Sequence, residues 1–322
     1  MCYNKHYDTL QHIDLADEGE GEGEGEGGGD LIELRFQFQV GSSQYHKPNN
    51  RDGQVNQANN FKHTPLGHFS YPGGICLQPH TNHVLVCDCN HHRLQILNDQ
   101  GQPLFAIGEQ GHLPKQFQCP NGVCCSSNGD IFIADKYNHR IQCFDAGGRF
   151  RSTFGRDTVD AFYDRWAEDS KDEFKRPQEL RCPFDICCLT SHLCPSSAVG
   201  ASSAQPLLLV ADNDHQRISV WTSSSLSTTT THLINFKVEG FPRGLCVDMN
   251  GYVNVCCGGP QEHSVRIYDP RHNFGLVQSL SSLHSRIGAS PGAFDHPTGI
   301  CVDNYNTLIV ADCENNRIQF FS

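Results

Sequence analysis

The sequence predicts an all-β fold, a β-propeller of five four-stranded blades, with six blades as the alternative. Three observations carry this expectation. An apolar run ending in Asp, a short polar turn and an Arg recur as VLVCDCNHHRLQIL (84–97), IFIADKYNHRIQCF (131–144), LLLVADNDHQRISVW (207–221) and LIVADCENNRIQFF (308–321). A Pro-led apolar strand precedes each copy, and helical periodicity is absent over every unit. Short strands in repeated units suit a ring better than a thin solenoid, because closure removes the sheet edges that invite aggregation.

Each unit reads as strands a to d. Strand a is PGGICL from Pro72, PNGVCC from Pro120, PFDICC from Pro183, PRGLCVD from Pro242 and PTGICVD from Pro297. Strand b ends at the Asp and strand c begins at the Arg. Strand d is QPLFAIG (102–108), RFRSTFG (149–155), LINFKV (233–238) or FGLVQSL (274–280). The blades are expected over 71–108, 119–155, 182–238, 241–280 and 296–322, with a Ser/Ala-rich insert at 191–205 stretching the third. The last unit has no strand d, and LRFQFQVG (34–41) is expected to supply it and close the ring. Residues 42–70 and 156–182 are too short for a further blade.

Asp and Arg stand five apart in four units, as Asp88/Arg93, Asp135/Arg140, Asp212/Arg217 and Asp312/Arg317. This spacing predicts a charge-assisted pair closing each b–c turn, a structural role rather than a site. The fourth unit, YVNVCCGGPQEHSVRIYD (252–269), has Cys257 at the Asp position and Arg266 after a longer turn. Gly74, Gly122, Gly244 and Gly299 follow each Pro by two, where inner strands converge; Asp185 takes that position in the third unit. Cys76, Cys124, Cys187, Cys246 and Cys301 lie four after each Pro and are expected to pack in the core. Neighbours such as Cys124 and Cys125 should face opposite sides of their sheet.

The 322 residues carry a net charge of −12, but ten acids lie within residues 1–33 against Lys5 alone. That Gly/Glu-rich segment is expected to be a disordered tail. Residues 34–322 are near neutral, and charge alone does not indicate nucleic acid. No run is long and apolar enough to cross a bilayer, and no export signal follows Met1. The 17 cysteines therefore read as reduced thiols of a cytoplasmic protein.

These motifs resemble the NHL repeat, most nearly the carboxy-terminal propeller of tripartite-motif NHL proteins such as Brat. HLPKQFQCPNGVCCSSNGDIFIADKYNHRIQCFDAGGRFRSTFG (112–155) is the best copy. The resemblance implies ubiquitin-pathway association through upstream RING and B-box domains. Residues 3–75 contain no Cys, so ubiquitin transfer is not expected of this chain. It also implies a ligand-binding face formed by the b–c turns and the links into strand a. The candidates there are Tyr71, His91, His92, Lys115, Lys136, Tyr137, His139, Lys175, Arg176, Arg181, Phe241, Arg243 and His296. The linker 156–173 adds Asp and Glu, with Phe162, Tyr163 and Trp166 as apolar anchors.

Two readings of this face follow, a non-catalytic protein-binding adaptor and an RNA-binding post-transcriptional regulator recognising single-stranded or hairpin RNA. The resemblance supplies a third, a metal-dependent lyase-like propeller, since peptidyl-amidoglycine lyase binds metal through histidines around its channel. The a strands here carry no convergent His. The sequence expectation is accordingly a monomeric, non-enzymatic adaptor with no membrane contact, no cofactor, no metal ligands and no catalytic residues.

Overall fold

The computed structural model describes residues 64–156, 176–189, 206–223, 229–259, 263–281 and 290–322. The tail, the strand expected at 34–41, the linker beyond Arg156 and the insert 191–205 lie outside them. All described residues fall in the compact unit Gln39–Ser322.

Five antiparallel sheets follow one another, four of four strands and one of three. The first holds β1 (Pro72–Leu77), β2 (Val84–Asp88), β3 (Arg93–Leu97) and β4 (Pro103–Ile107). The second holds β5 (Pro120–Cys125), β6 (Ile131–Asp135), β7 (Arg140–Phe144) and β8 (Phe150–Phe154). The third holds β9 (Pro183–Leu189), β10 (Leu207–Asp212), β11 (Arg217–Ser223) and β12 (Thr230–Lys237). The fourth holds β13 (Phe241–Val247), β14 (Val253–Gly258), β15 (Ser264–Asp269) and β16 (Gly275–Leu280). The fifth holds β17 (Pro297–Val302), β18 (Leu308–Asp312) and β19 (Arg317–Phe321). Each is a meander in chain order.

The core lies between sheets. Leu85, Leu94 and Ile96 of the first blade pack on Val123, Ile133 and Phe144 of the second. Phe132, Ile141 and Phe154 meet Ile186, Leu208 and Trp221 across the next junction. Both faces of an inner sheet are thus covered, which is why IFIAD and RIQCF are buried along their whole length instead of alternating.

The first strands of successive blades pack together in the order β1, β5, β9, β13, β17. Their approach is close enough to demand glycine. A Cβ on Gly122 would lie 2.5 Å from Asp185 Cα, and one on Gly244 would lie 2.2 Å from the Thr298 carbonyl oxygen. Among the described residues the succession does not continue from β17 back to β1 in the same way. Correspondingly, Ile75 and Leu77 of β1 are each 65% exposed, and Ile318 and Phe320 of β19 are also exposed. Among the described residues no helix is long and apolar enough to cross a membrane.

Candidate functional site

The repeated Asp at the end of strand b organises the turn face. Its Oδ2 accepts the Arg Nε–H at 2.8 Å in Asp88/Arg93 and Asp135/Arg140, 2.7 Å in Asp212/Arg217 and 2.9 Å in Asp312/Arg317. The same oxygen accepts from Gln95, Gln142 and Gln319 in their blades. Its Oδ1 accepts the backbone N–H of the residue two before the strand-opening Pro, Ser70, Gln118, Arg181 or Asp295, at 2.6–2.7 Å. The guanidinium ends donate to carbonyls of the incoming link, as Arg140 does to Leu113 and Gln116. One buried carboxylate thus fixes both the turn and the link, and its lone pairs are satisfied, the condition under which burying an ion pair is tolerable.

A second device joins consecutive blades. In the first two blades, the residue before the Arg is a histidine in the left-handed region, His92 (φ 56) and His139 (φ 58). Each offers Nδ1 to the backbone N–H of the residue just before the next blade's Pro: Cys119 to His92 and Cys182 to His139, both at 3.0 Å. His263 makes the same 3.0 Å bond with His296 N–H in the fourth blade. Register explains why the sequence hides this equivalence. Cys257 pairs with Ser264, as Asp135 pairs with Arg140. Arg266 lies opposite Val255, where the other blades place Gln or Ser, so it is not the counterpart of the repeated Arg. It pairs instead with Glu239. Counting back from Ser264, not from Arg266, reveals His263 as the latch.

At this fourth junction the latch acquires acid and imidazole. Asp295 stands where the second and third blades have Gln118 and Arg181, and His296 stands where they have Cys119 and Cys182. Asp295 Oδ1 lies 3.0 Å from His263 Nδ1 and 2.8 Å from His296 Nδ1. One ligand atom from each of the three side chains falls within 4.8 Å of the others, close enough to share a metal ion. His263 Nε2 lies 2.7 Å from the Gly259 carbonyl oxygen, so that nitrogen carries the proton and Nδ1 presents a lone pair. The rings of His263 and His296 meet edge to face at 4.2 Å. His263 is buried, whereas Asp295 and His296 keep partial access to solvent.

This cluster overturns the expectation of a non-catalytic adaptor. The histidines of the turn face, absent from the a strands, do converge, and they converge on a carboxylate. The sequence shows His296 beside Pro297 but not His263, because 33 residues and a lengthened turn separate the two.

The other rim candidates are distributed as follows. His92 and His139 are engaged as latches, and burial near Arg156 and Arg181 pushes His139 down to about 4. His91 hydrogen bonds Asp88 at 2.8 Å. Lys136 lies over the Tyr137 ring at 5.0 Å and over Phe184 at 4.7 Å, while Arg243 approaches the same Phe184 at 5.9 Å. Arg243 also lies against Gly258, one residue from the carbonyl that holds His263. Tyr71 is exposed, Phe241 is partly buried, and Lys115 uses its backbone N–H to bind Gln142. Arg176 and Arg181 are exposed and pair with Glu179 and Asp214 at 3.7 and 3.6 Å. Lys175 lies outside the described residues. Beneath this rim, Asp185 accepts the backbone N–H of Leu245 and of Ile186, both at 2.9 Å. It keeps a little accessible surface, yet desolvation lifts its carboxyl to about 7.

The architecture defines a β-propeller whose turn face carries a histidine–carboxylate cluster. Three of its segments, residues 69–97, 117–144 and 294–321, match the NHL repeat. The chain is 35% identical to Protein brain tumor of Drosophila melanogaster over 91 residues, 28% of this chain and 9% of that protein. It is 32% identical to Peptidyl-glycine alpha-amidating monooxygenase B of Xenopus laevis over 109 residues, 30% of this chain and 12% of that protein. The matches therefore cover only a small part of these relatives. Among solved structures, hydrazine synthase of Kuenenia stuttgartiensis shares the fold at 12% identity and a TM-score of 0.50, over 77% of this chain and 64% of that one. Virginiamycin B lyase of Staphylococcus aureus aligns at 13% identity and a TM-score of 0.48, over 78% and 69%.

Proposed function

We propose that the chain is a metal-dependent enzyme of the lyase type, with its centre at His263, Asp295 and His296. One observation carries this reading. With its Nε2 proton donated to Gly259, His263 places Nδ1, an acceptor bonded to the His296 N–H, 3.0 Å from a carboxylate oxygen, and two acceptors at that distance repel. A cation between them relieves the repulsion, and two imidazoles with a carboxylate suit zinc or a similar divalent transition metal. Binding there would take over the lone pair that now accepts the His296 N–H.

The bound metal would supply Lewis acidity. The chain's own residues do the rest. The Gly259 carbonyl sets the His263 tautomer, and Asp312 holds the Asp295 backbone at 2.6 Å. His296 is 37% exposed and lies 2.8 Å from Asp295, so the proposed centre opens toward a substrate above the face. Arg243, beside the cluster, supplies a cation for an anionic substrate group, with Phe184 as an apolar wall. The partial similarity to a peptidyl-glycine-processing protein makes peptidyl-glycine derivatives the first substrates to try.

The test is metal stoichiometry after chelation and reconstitution with zinc, together with the absorption spectrum of the cobalt-substituted protein. About one ion per chain is expected, with Asp295→Asn and His296→Ala weakening affinity about 10–100-fold. No metal above background, or variants binding as tightly as the parent, would refute the centre. Turnover of the derivatives by the loaded protein, lost in both variants, would establish the reaction class.

A further inference from the structure

The cysteines of the first strands form a register of their own. The thiol four after the Pro in one blade faces the thiol five after the Pro in the next. Cys76 Sγ lies 3.6 Å from Cys125 Sγ, and Cys124 hydrogen bonds Cys188 in the same way one junction on. Adjacent Cys124 and Cys125 thus face opposite neighbours, each contributing to a different junction. A third contact, Cys89 with Cys119, lies nearer the turn face of the first junction.

The two registered pairs differ in access. Cys124 is buried, whereas Cys76 and Cys125 both keep accessible surface. Cys76 is flanked in β1 by the exposed Ile75 and Leu77, at the strand where the succession of inner strands begins. Two sulfurs in van der Waals contact need to close by about 1.5 Å to reach bonding distance, a shift that side-chain rotation and small strand movements can supply.

We propose that the Cys76–Cys125 contact is an oxidation site at which hydroperoxide converts the two thiols to a disulfide joining the first and second blades. One sulfur attacks the peroxide O–O bond, becomes a sulfenic acid and releases the first water. The other sulfur attacks the sulfenic sulfur, the S–O bond breaks, and the second water leaves. Two thiols and one hydrogen peroxide thus give one disulfide and two waters. The contact is a hydrogen bond in which either thiol can donate, and together with burial it disfavours ionisation of Cys76. The sequence separation of 49 residues means the bond would close a long loop of the unfolded chain.

The experiment uses the reduced full chain treated with hydrogen peroxide, alkylated, and mapped as peptides without reduction. The expected result is a cross-linked peptide containing Cys76 and Cys125, reversed by dithiothreitol, with the melting temperature raised by about 5 °C. Cys76→Ser should abolish the cross-link and leave Cys125 trappable by dimedone as a sulfenic acid, while Cys124→Ser should leave the cross-link intact. Should Cys76→Ser fail to fold, a redox titration of the parent chain, followed by the same cross-linked peptide, still decides. Recovery of Cys76 and Cys125 as separately alkylated or separately over-oxidised peptides from folded protein overturns the proposal, as does linkage of either to another cysteine.

Discussion

Replacing Arg140 with Ala tests the repeated carboxylate most severely. Its side chain is 1% exposed and its partner Asp135 is fully buried. The substitution removes the Nε bond to Asp135 and the Nη2 bonds to the Leu113 and Gln116 carbonyls. Asn138, Gln142 and the Gln118 N–H still donate to Asp135, so the carboxylate keeps hydrogen-bond donors but loses the guanidinium bonded to it. Breaking a buried pair in this way costs about 4 kcal/mol, or roughly 10 °C in melting temperature for a domain of this size. The fifth-blade equivalent, Arg317→Ala, should cost only about 1–2 kcal/mol, because Arg317 is 26% exposed and water can replace part of its role. The two variants are compared by urea unfolding at pH 7 and again at lower pH. Burial already raises the Asp135 carboxyl against the opposing pull of Arg140, and removing Arg140 raises it further. A raised carboxyl favours the protonated folded state at low pH, so the Arg140→Ala penalty should shrink as pH falls. Equal losses for the two variants, or a penalty that grows with acid, would refute the argument that burial sets the value of the pair.

Three further outcomes follow from the same geometry. With the Asp185 carboxyl near 7 when folded and near its ordinary value when unfolded, its contribution is fully present below about pH 4 and declines up to pH 7. Asp185→Asn should therefore flatten the stability–pH curve across that window by up to about 1.4 kcal/mol per pH unit, read as the difference between parent and variant. His139 is held down to about 4, so its stability contribution is lost as pH falls from the ordinary histidine value toward 4. His139→Ala should cost about 1–2 kcal/mol at pH 7 and remove that acid limb from the thermal profile. Gly244→Ala drives a methyl group against the Thr298 carbonyl and should lower stability by about 2 kcal/mol or more, whereas the same change at Gly299, where a Cβ would meet Ala311 at an ordinary contact distance of 3.5 Å, should cost far less; denaturant midpoints separate the two.

Much of the fold is legible because the Asp–Arg spacing of five residues is itself a hairpin geometry. Asp88 and Arg93 are directly opposed in the ladder, as are Asp135 and Arg140, so the spacing transmits register and not just composition. Proline at the start of strand a and buried runs such as LLLVAD mark the sheet interior equally well. The site is less legible for an identifiable reason. The fourth turn is lengthened, and its nearest Arg, Arg266, lies two residues past the true equivalent, Ser264. Aligning on the charge places His263 in an undistinguished loop. Counting back one residue from Ser264, the strand partner of Cys257, identifies His263 as the equivalent of His92 and His139. The rim reading rests on residue type, which alone cannot show that His92 and His139 spend their lone pairs on backbone amides.

Among the described residues the histidine latch recurs while the histidine–carboxylate cluster occurs at one junction, so the backbone frame exists in more copies than the cluster itself. At the first junction His92 already faces the amide of Cys119, with Gln118 before it and Asp135 anchoring the backbone. Two substitutions there, Gln118→Asp and Cys119→His, would reproduce the fourth junction's side chains on an existing frame. Repetition of one such unit around the ring thus offers further positions at which a changed dipeptide, instead of a newly built pocket, would assemble the same side chains.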